Sequence, residues 1–258
     1  MPILPEIICL ANNVYGVVNL WHPAGIGVNA GFIITKNNII HIDSGMTLSD
    51  GEYLVSKSRE IAGENKNLIL ILTHHHSDHI FGMHAFKRLG AKIIAHKALR
   101  DFLSYSEPPS YESIKDTYKQ FIINLLIERY SYSKEEAEEK IGDVKLYLPD
   151  IVFSDDYEIE VDGEKLILLY TPGHVPSEIS IYHPSSKILF AGDTIYSGLP
   201  LTTRFGGPKE WRQWINSLKK LEKLNIHKIV SGHGRICNKN EIKRNIEYLK
   251  SILRKGVH

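Results

Sequence analysis

Cysteine is nearly missing: Cys9 and Cys237 are the two in 258 residues. They stand near opposite ends of the chain, so their spacing draws no disulfide framework, and reduced thiols in a cytosolic protein are expected. Glutamine is almost absent as well (Gln120 and Gln213), while Lys, Glu and Ile abound. That bias suits a heat-adapted source, where deamidation is avoided and ion-pair networks are favoured. An excess of one charge is also lacking, because 31 Lys plus Arg face 30 Asp plus Glu for a net charge of +1. This argues against a partner gripped mainly through phosphates, so no nucleic-acid partner is expected. No apolar run approaches the roughly 18 residues of a membrane span. The opening Met1-Pro2-Ile3-Leu4-Pro5-Glu6 lacks the basic segment and apolar run of a signal peptide. A cytoplasmic protein with no membrane partner is expected.

What remains is an ordinary globular composition, 43% hydrophobic and 24% charged, which excludes disorder and collagen. The length suits one domain over residues 1–258. Short β-branched or apolar runs at residues 14–20, 31–35 and 38–42 read as strands between Gly-, Pro- and Asn-rich turns. Residues 47–62 carry a helical stripe, and residues 68–72 form a continuous apolar run suited to a strand covered on both faces. A helix over 79–89 and a strand over 92–95 follow. Residues 97–142 change character: helical periodicity, five tyrosines and a Pro108-Pro109 break mark a helical insertion. Strand patterns return at 157–161 and 165–170 around Asp162-Gly163, a hairpin signal. Further strands are expected at 179–182, 188–191 and 229–230, with helices at 208–224 and 240–253. The two batches suggest two mixed sheets packed face to face with helices outside.

The chemistry lies at strand ends, where loops carry function on a rigid base. His74-x-His76-x-Asp78-His79 follows the run 68–72. Imidazole and carboxylate are good ligands for zinc, and a strand-to-helix turn lets them converge. Single ligand-type residues then follow four other strands: Asp43, His174 in Thr171-Pro172-Gly173-His174, Asp193 in Gly192-Asp193-Thr194, and His233 in Gly232-His233-Gly234. Alone each is weak; five such presentations in one chain point to a metal centre.

This ordered set resembles the metallo-β-lactamase superfamily, and it spans residues 43–233. The resemblance implies an α+β fold, a four-layer αββα sandwich with the metal site at one edge. It implies His74, His76 and His174 on a first metal, Asp78, His79 and His233 on a second, and Asp193 bridging them. Asp43 would support the metal loop. Two divalent ions are expected, zinc first, with iron and manganese acceptable to the same ligands. The implied chemistry is hydrolysis of a small carbonyl ester, lactone or thioester by a metal-bridging hydroxide, with Asp78 or solvent passing a proton to the leaving group. Tyr196, three residues after Asp193, resembles a tyrosine of the N-acyl homoserine lactonases that reaches the substrate carbonyl. Glyoxalase II shares the motifs but carries a further C-terminal helical region, which lowers the expectation of its substrate. The runner-up is a mononuclear iron persulfide dioxygenase using His74, His174 and Asp193, and a phosphodiesterase or nuclease comes third.

The insertion is expected to cover the metal edge, with Phe102, Tyr105 and Tyr111 as wall residues of a pocket for a small-molecule substrate. The competing expectation is an interface in a homodimer. His75 is assigned a loop or supporting role. His22, His84, His96, His183, His227 and His258 are read as ordinary structural histidines, and His41 as standing clear of the site.

Overall fold

The computed structural model of the chain describes residues 4–105 and 110–256. Pro108-Pro109 and His258 lie outside the described residues, as does the side chain of Tyr111.

The first sheet has seven strands in chain order: β1 (Glu6–Ala11), β2 (Val14–Leu20), β3 (Val28–Ile34), β4 (Asn38–Ile42), β5 (Asn67–Leu72), β6 (Lys92–His96) and β7 (Ile151–Phe153). The strands β1 to β4 pair antiparallel, whereas β4 to β7 run parallel. Parallel neighbours need crossovers, and helices supply them. Helix α1 (Leu48–Ala62) joins β4 to β5, and α2 (Ser77–Ile80) with α3 (Met83–Lys87) joins β5 to β6. The insertion comprises α4 (Lys97–Leu103), α5 (Tyr111–Tyr130) and α6 (Lys134–Ile141), between β6 and β7.

Local chemistry explains these boundaries. Thr47 caps α1, accepting from the Asp50 N–H while the Asp50 carboxylate accepts from the Thr47 N–H, a reciprocal pair that fixes the helix start. The helix expected over 79–89 is broken in two. At Gly82 the chain passes so close to the loop after β4 that a Cβ would stand 2.1 Å from the Ser44 carbonyl oxygen. The Gly82 N–H donates to the Gly45 carbonyl instead of continuing a helix.

The second sheet is built from β8 (Tyr157–Val161), β9 (Glu164–Tyr170), β10 (Ile179–His183) and β11 (Ile188–Phe190). A short β12 (Tyr196–Ser197) follows, then α7 (Pro208–Glu222), β13 (Lys228–Val230), β14 (His233–Gly234) and α8 (Asn240–Lys255). Strand order in the sheet is β13-β11-β10-β9-β8, and β12 pairs with β14 separately. The β8–β9 turn has both Asp162 and Gly163 at positive φ (54° and 85°), as a two-residue hairpin of this type requires. The Asp162 carboxylate also accepts from Thr35, Asn37 and Asn38, tying the turn to the first sheet.

Three apolar layers make the stack. Ile33, Ile40, Ile71 and Ile94 face Leu166, Leu168, Ile181 and Phe190 between the sheets. Leu54, Leu70, Phe86 and Ile123 fill the space under α1, α3 and α5. Leu189, Trp214, Leu218 and Leu249 do so under α7 and α8. At roughly 1.5–3 kcal/mol for each fully buried large apolar side chain, the middle layer locks the sheets face to face. The result is the αββα sandwich expected. At one edge the chain leaves β4, β5, β9, β11 and β13 close together, joined by Ile179 N–H to Thr73 O and Asn29 N–H to Gly232 O.

Candidate metal centre

All seven ligand-type residues converge at that edge. The ligand atoms of His74, His76, His174 and Asp193 lie within 4.8 Å of one another, and so do those of Asp78, His79 and His233. Asp193 joins the two groups. Its Oδ2 stands 3.2 Å from His174 Nε2 and 3.8 Å from His74 Nε2, while its Oδ1 stands 3.2 Å from His79 Nε2 and 3.4 Å from His233 Nε2. Asp78 Oδ2 is 3.3 Å from His233 Nε2 and 3.7 Å from His79 Nε2. Gly232 is required beside them, because a Cβ there would fall 2.0 Å from Asp193 Oδ1.

The supporting hydrogen bonds set the imidazole tautomers. Asp43 Oδ1 accepts from the Thr73 N–H and Oδ2 from the Thr73 hydroxyl, each at 2.8 Å. The same Oδ2 accepts from His79 Nδ1 at 2.8 Å. Since the Thr73 hydroxyl donates to Asp43, its oxygen accepts from His74 Nδ1, 3.0 Å away. Likewise His233 Nδ1 donates to the Gly27 carbonyl. In all three rings the proton is drawn to Nδ1 and the Nε2 lone pair faces inward. The Nε2 atoms of His74 and His79 and Oδ1 of Asp193 are buried with no hydrogen-bond partner. Buried orphans of this kind, all electron-pair donors aimed at common points, fit divalent cations.

Proton affinities diverge across the site. Burial drives His74 and His76 well below the ordinary imidazole range, and neighbouring imidazoles add to it. Burial opposes charge on His79 and His233 too, but Asp193 and Asp78 outweigh it, lifting His79 well up and His233 to about 10. Burial would raise the two carboxylates, yet the surrounding imidazoles hold both Asp78 and Asp193 low.

Other side chains enter that the sequence did not mark. Glu178 is fully buried; its Oε1 accepts from the Asp193 N–H at 3.1 Å and its Oε2 lies 3.4 Å from His74 Nδ1. Burial, with Asp193 beside it, pushes its carboxyl well up. An acid just before an apolar strand was the available signal. His22, read as an ordinary structural histidine, stands at the site instead, with Nε2 3.7 Å from Asp78 Oδ2. Tyr196, which the sequence did mark, is buried and donates its hydroxyl to Asp193 Oδ2 at 2.6 Å.

A cavity of about 520 Å³ opens onto the centre, walled by Phe81, Phe102, Tyr118, Tyr196 and Phe205, with Lys115 and Arg204 also contributing. Phe102, Lys115 and Tyr118 come from the insertion, which therefore does cover the metal edge. Tyr105, expected as a wall, is 52% exposed and lines no part of the cavity. His75 takes its supporting place, with Nδ1 2.7 Å from Ser177 Oγ and its ring stacked on Phe102. His41 is buried away from the ligands, against Ser58 and Phe86. His84, His96 and His183 pair with Tyr147, the Ser154 carbonyl and Glu164. No helix among the described residues is long and apolar enough to cross a membrane.

A family model described as the metallo-beta-lactamase superfamily matches residues 24–233. The chain belongs to this superfamily, and its relatives and ligand clusters make it a metal-dependent hydrolase of that family. A "Hydroxyacylglutathione hydrolase GloC" from Haemophilus influenzae is 27% identical over 221 residues, 84% of this chain and 89% of that protein. A "Beta-lactamase-like protein 2 homolog" from Caenorhabditis elegans is 26% identical over 214 residues, 83% of this chain but only 58% of that protein. The solved metallo-beta-lactamase from Pontibacter korlensis superposes with a TM-score of 0.70 over 96% of this chain and 99% of its own, at 18% identity. That likeness speaks for the fold.

Proposed function

We propose that the protein hydrolyses a small carbonyl ester, lactone or thioester at a two-ion centre, with zinc as the first choice of metal. Asp193 carries this proposal: its two oxygens face two separate, complete ligand clusters. One carboxylate shared in this way would serve as a ligand to two divalent ions. Bound there, the ions would supply Lewis acidity at the carbonyl oxygen and a water acidic enough to react near neutral pH. The complete second cluster weighs against a mononuclear persulfide dioxygenase.

The remaining work falls to the chain's own residues. Asp78, held as a carboxylate by His79 and His233, takes a proton from the attacking water and passes it to the leaving group as the acyl bond breaks. Tyr196 keeps its phenolic proton, since burial and Asp193 both raise its pKa. That O–H rests on Asp193 Oδ2 in the free protein and, turned from it to the substrate, is the candidate donor to the developing oxyanion, worth about 2–4 kcal/mol of barrier when aligned. The aromatic wall with Lys115 and Arg204 suits an acyl substrate that has an apolar body and an anionic end. An acylglutathione, the substrate in the Haemophilus relative's name, is an anionic thioester.

Elemental mass spectrometry on the purified protein, followed by ester, lactone and thioester assays before and after chelation, tests the proposal. About two ions per chain and chelator-sensitive hydrolysis support it. One iron per chain with no hydrolysis overturns it in favour of oxygen chemistry on persulfides.

A further inference from the structure

His22 sits in the loop between β2 and β3, with its side chain 15% exposed and lining the cavity beside Asp78 and His233. Its Nδ1 accepts a hydrogen bond from the Ala24 backbone N–H at 3.1 Å. A ring nitrogen that accepts holds a lone pair, so the ring proton resides on Nε2. This tautomer is the reverse of that in His74, His79 and His233, whose Nδ1 atoms donate and whose Nε2 lone pairs face the centre. His22 therefore has no lone pair to offer a cation from Nε2, and it stands apart from the ligand clusters. Its Nε2–H does not reach Asp78, whose Oδ2 is 3.7 Å away, beyond hydrogen-bond range. The donor faces the cavity.

The loop that carries it is fixed from several sides. The Trp21 N–H points to Asp50 Oδ1, the Tyr130 hydroxyl of the insertion donates to the Pro23 carbonyl, and the Gly25 N–H closes a turn on the His22 carbonyl. A donor placed in advance on a tied loop loses little freedom when it binds an acceptor.

We propose that His22 is a substrate-binding group whose Nε2–H donates to an oxygen of the acyl substrate, and of its carboxylate product, on the Asp78 side of the cavity. This rests on the hydrolase proposed above and adds a contact that no metal ligand supplies.

The test uses the zinc-loaded protein, phenylacetate as the product probe, and phenyl phenylacetate and S-phenyl phenylthioacetate, which both release it, as substrates. Three variants separate shape from donation. His22→Phe keeps a ring without a donor, His22→Gln places an amide N–H near the Nε2 position, and His22→Asn reaches only as far as Nδ1. In His22→Phe and His22→Asn, phenylacetate binding and kcat/KM should fall about tenfold, as expected for a lost hydrogen bond. His22→Gln should recover most of that loss. Metal content and melting temperature should stay level across the series. Long-range 1H–15N NMR of the wild type should show the proton on Nε2 of His22. A lone pair at Nε2, phenylacetate binding indifferent to residue 22, or a Gln variant as weak as Phe overturns the assignment. If the wild type hydrolyses neither substrate, the proposed hydrolase fails on these probes, while the tautomer and phenylacetate binding still decide for or against His22.

Discussion

The two halves of the metal centre are made from the same residue types and tuned in opposite directions. In the first, burial keeps His74 and His76 uncharged, and the only carboxylate among the ligands is the shared Asp193. In the second, Asp78 and Asp43 join Asp193 around His79 and His233, and both imidazoles gain proton affinity. Ligand identity alone therefore does not fix how a site meets a cation; the number of carboxylates packed around each imidazole decides whether protons compete. Yet one group orients both halves. Asp43 binds His79 directly and reaches His74 through the Thr73 hydroxyl.

The largest effect should come from erasing what the halves share. Asp193→Ala should remove both clusters' common ligand and lower kcat/KM at least about a thousandfold, with metal content falling at both sites; elemental analysis and ester assays check this. Next come the changes that split the halves. Asp43→Ala should leave His79 Nδ1 and two Thr73 donors unpaired, costing about 10–100-fold in metal affinity, most of it at the second cluster. Thr73→Val should spare His79 and weaken the first cluster alone. Zinc titrations of the two variants, each read by calorimetry, would blur the comparison if both lost the same site.

Acidity should separate the halves further. Metal binding requires His79 and His233 as neutral rings, so protons compete at the second cluster whenever pH lies below about 10 for His233. Lowering pH from about 8 to about 6 should release the second ion before the first, because His74 and His76 stay neutral there. In the chelated protein the sign reverses. A raised imidazole pKa contributes stability that is complete below its unfolded value near 6.5 and lost as pH rises through about 10. The chelated protein should accordingly melt lower at pH 10 than at pH 6, and a flat melting profile would contradict this. Confined to turnover is Tyr196→Phe, expected to cut it about thirtyfold or more with metal content unchanged; equal turnover would reduce Tyr196 to packing.

Much of the scaffold is legible in the chain. The strands expected at 14–20, 38–42 and 157–161 coincide with β2, β4 and β8, since each combines a β-branched or apolar run with a clear turn signal. The hairpin at Asp162-Gly163 is equally local. Strands β1 and β7 were missed, and so was the β12–β14 pair, whose strands are two residues each and too short to show a period. The break in the helix at Gly82 was invisible because its cause, the Ser44 carbonyl, arrives from another loop. His22 escaped for the same reason: nothing in Trp21-His22-Pro23 announces which way an imidazole faces.

The sequence by itself determined which ligand types stand after which strands and in what order, because a strand followed by a turn is a local event. Only the tertiary structure decided which oxygen of Asp193 faces which cluster, which ring nitrogen carries each proton, and that His22 stands beside Asp78. Those choices are made by hydrogen bonds across the fold, from Asp43 to His79 over 36 positions and from Gly27 to His233 over 206. A buried imidazole takes the tautomer its distant partner dictates, and no window of sequence contains both.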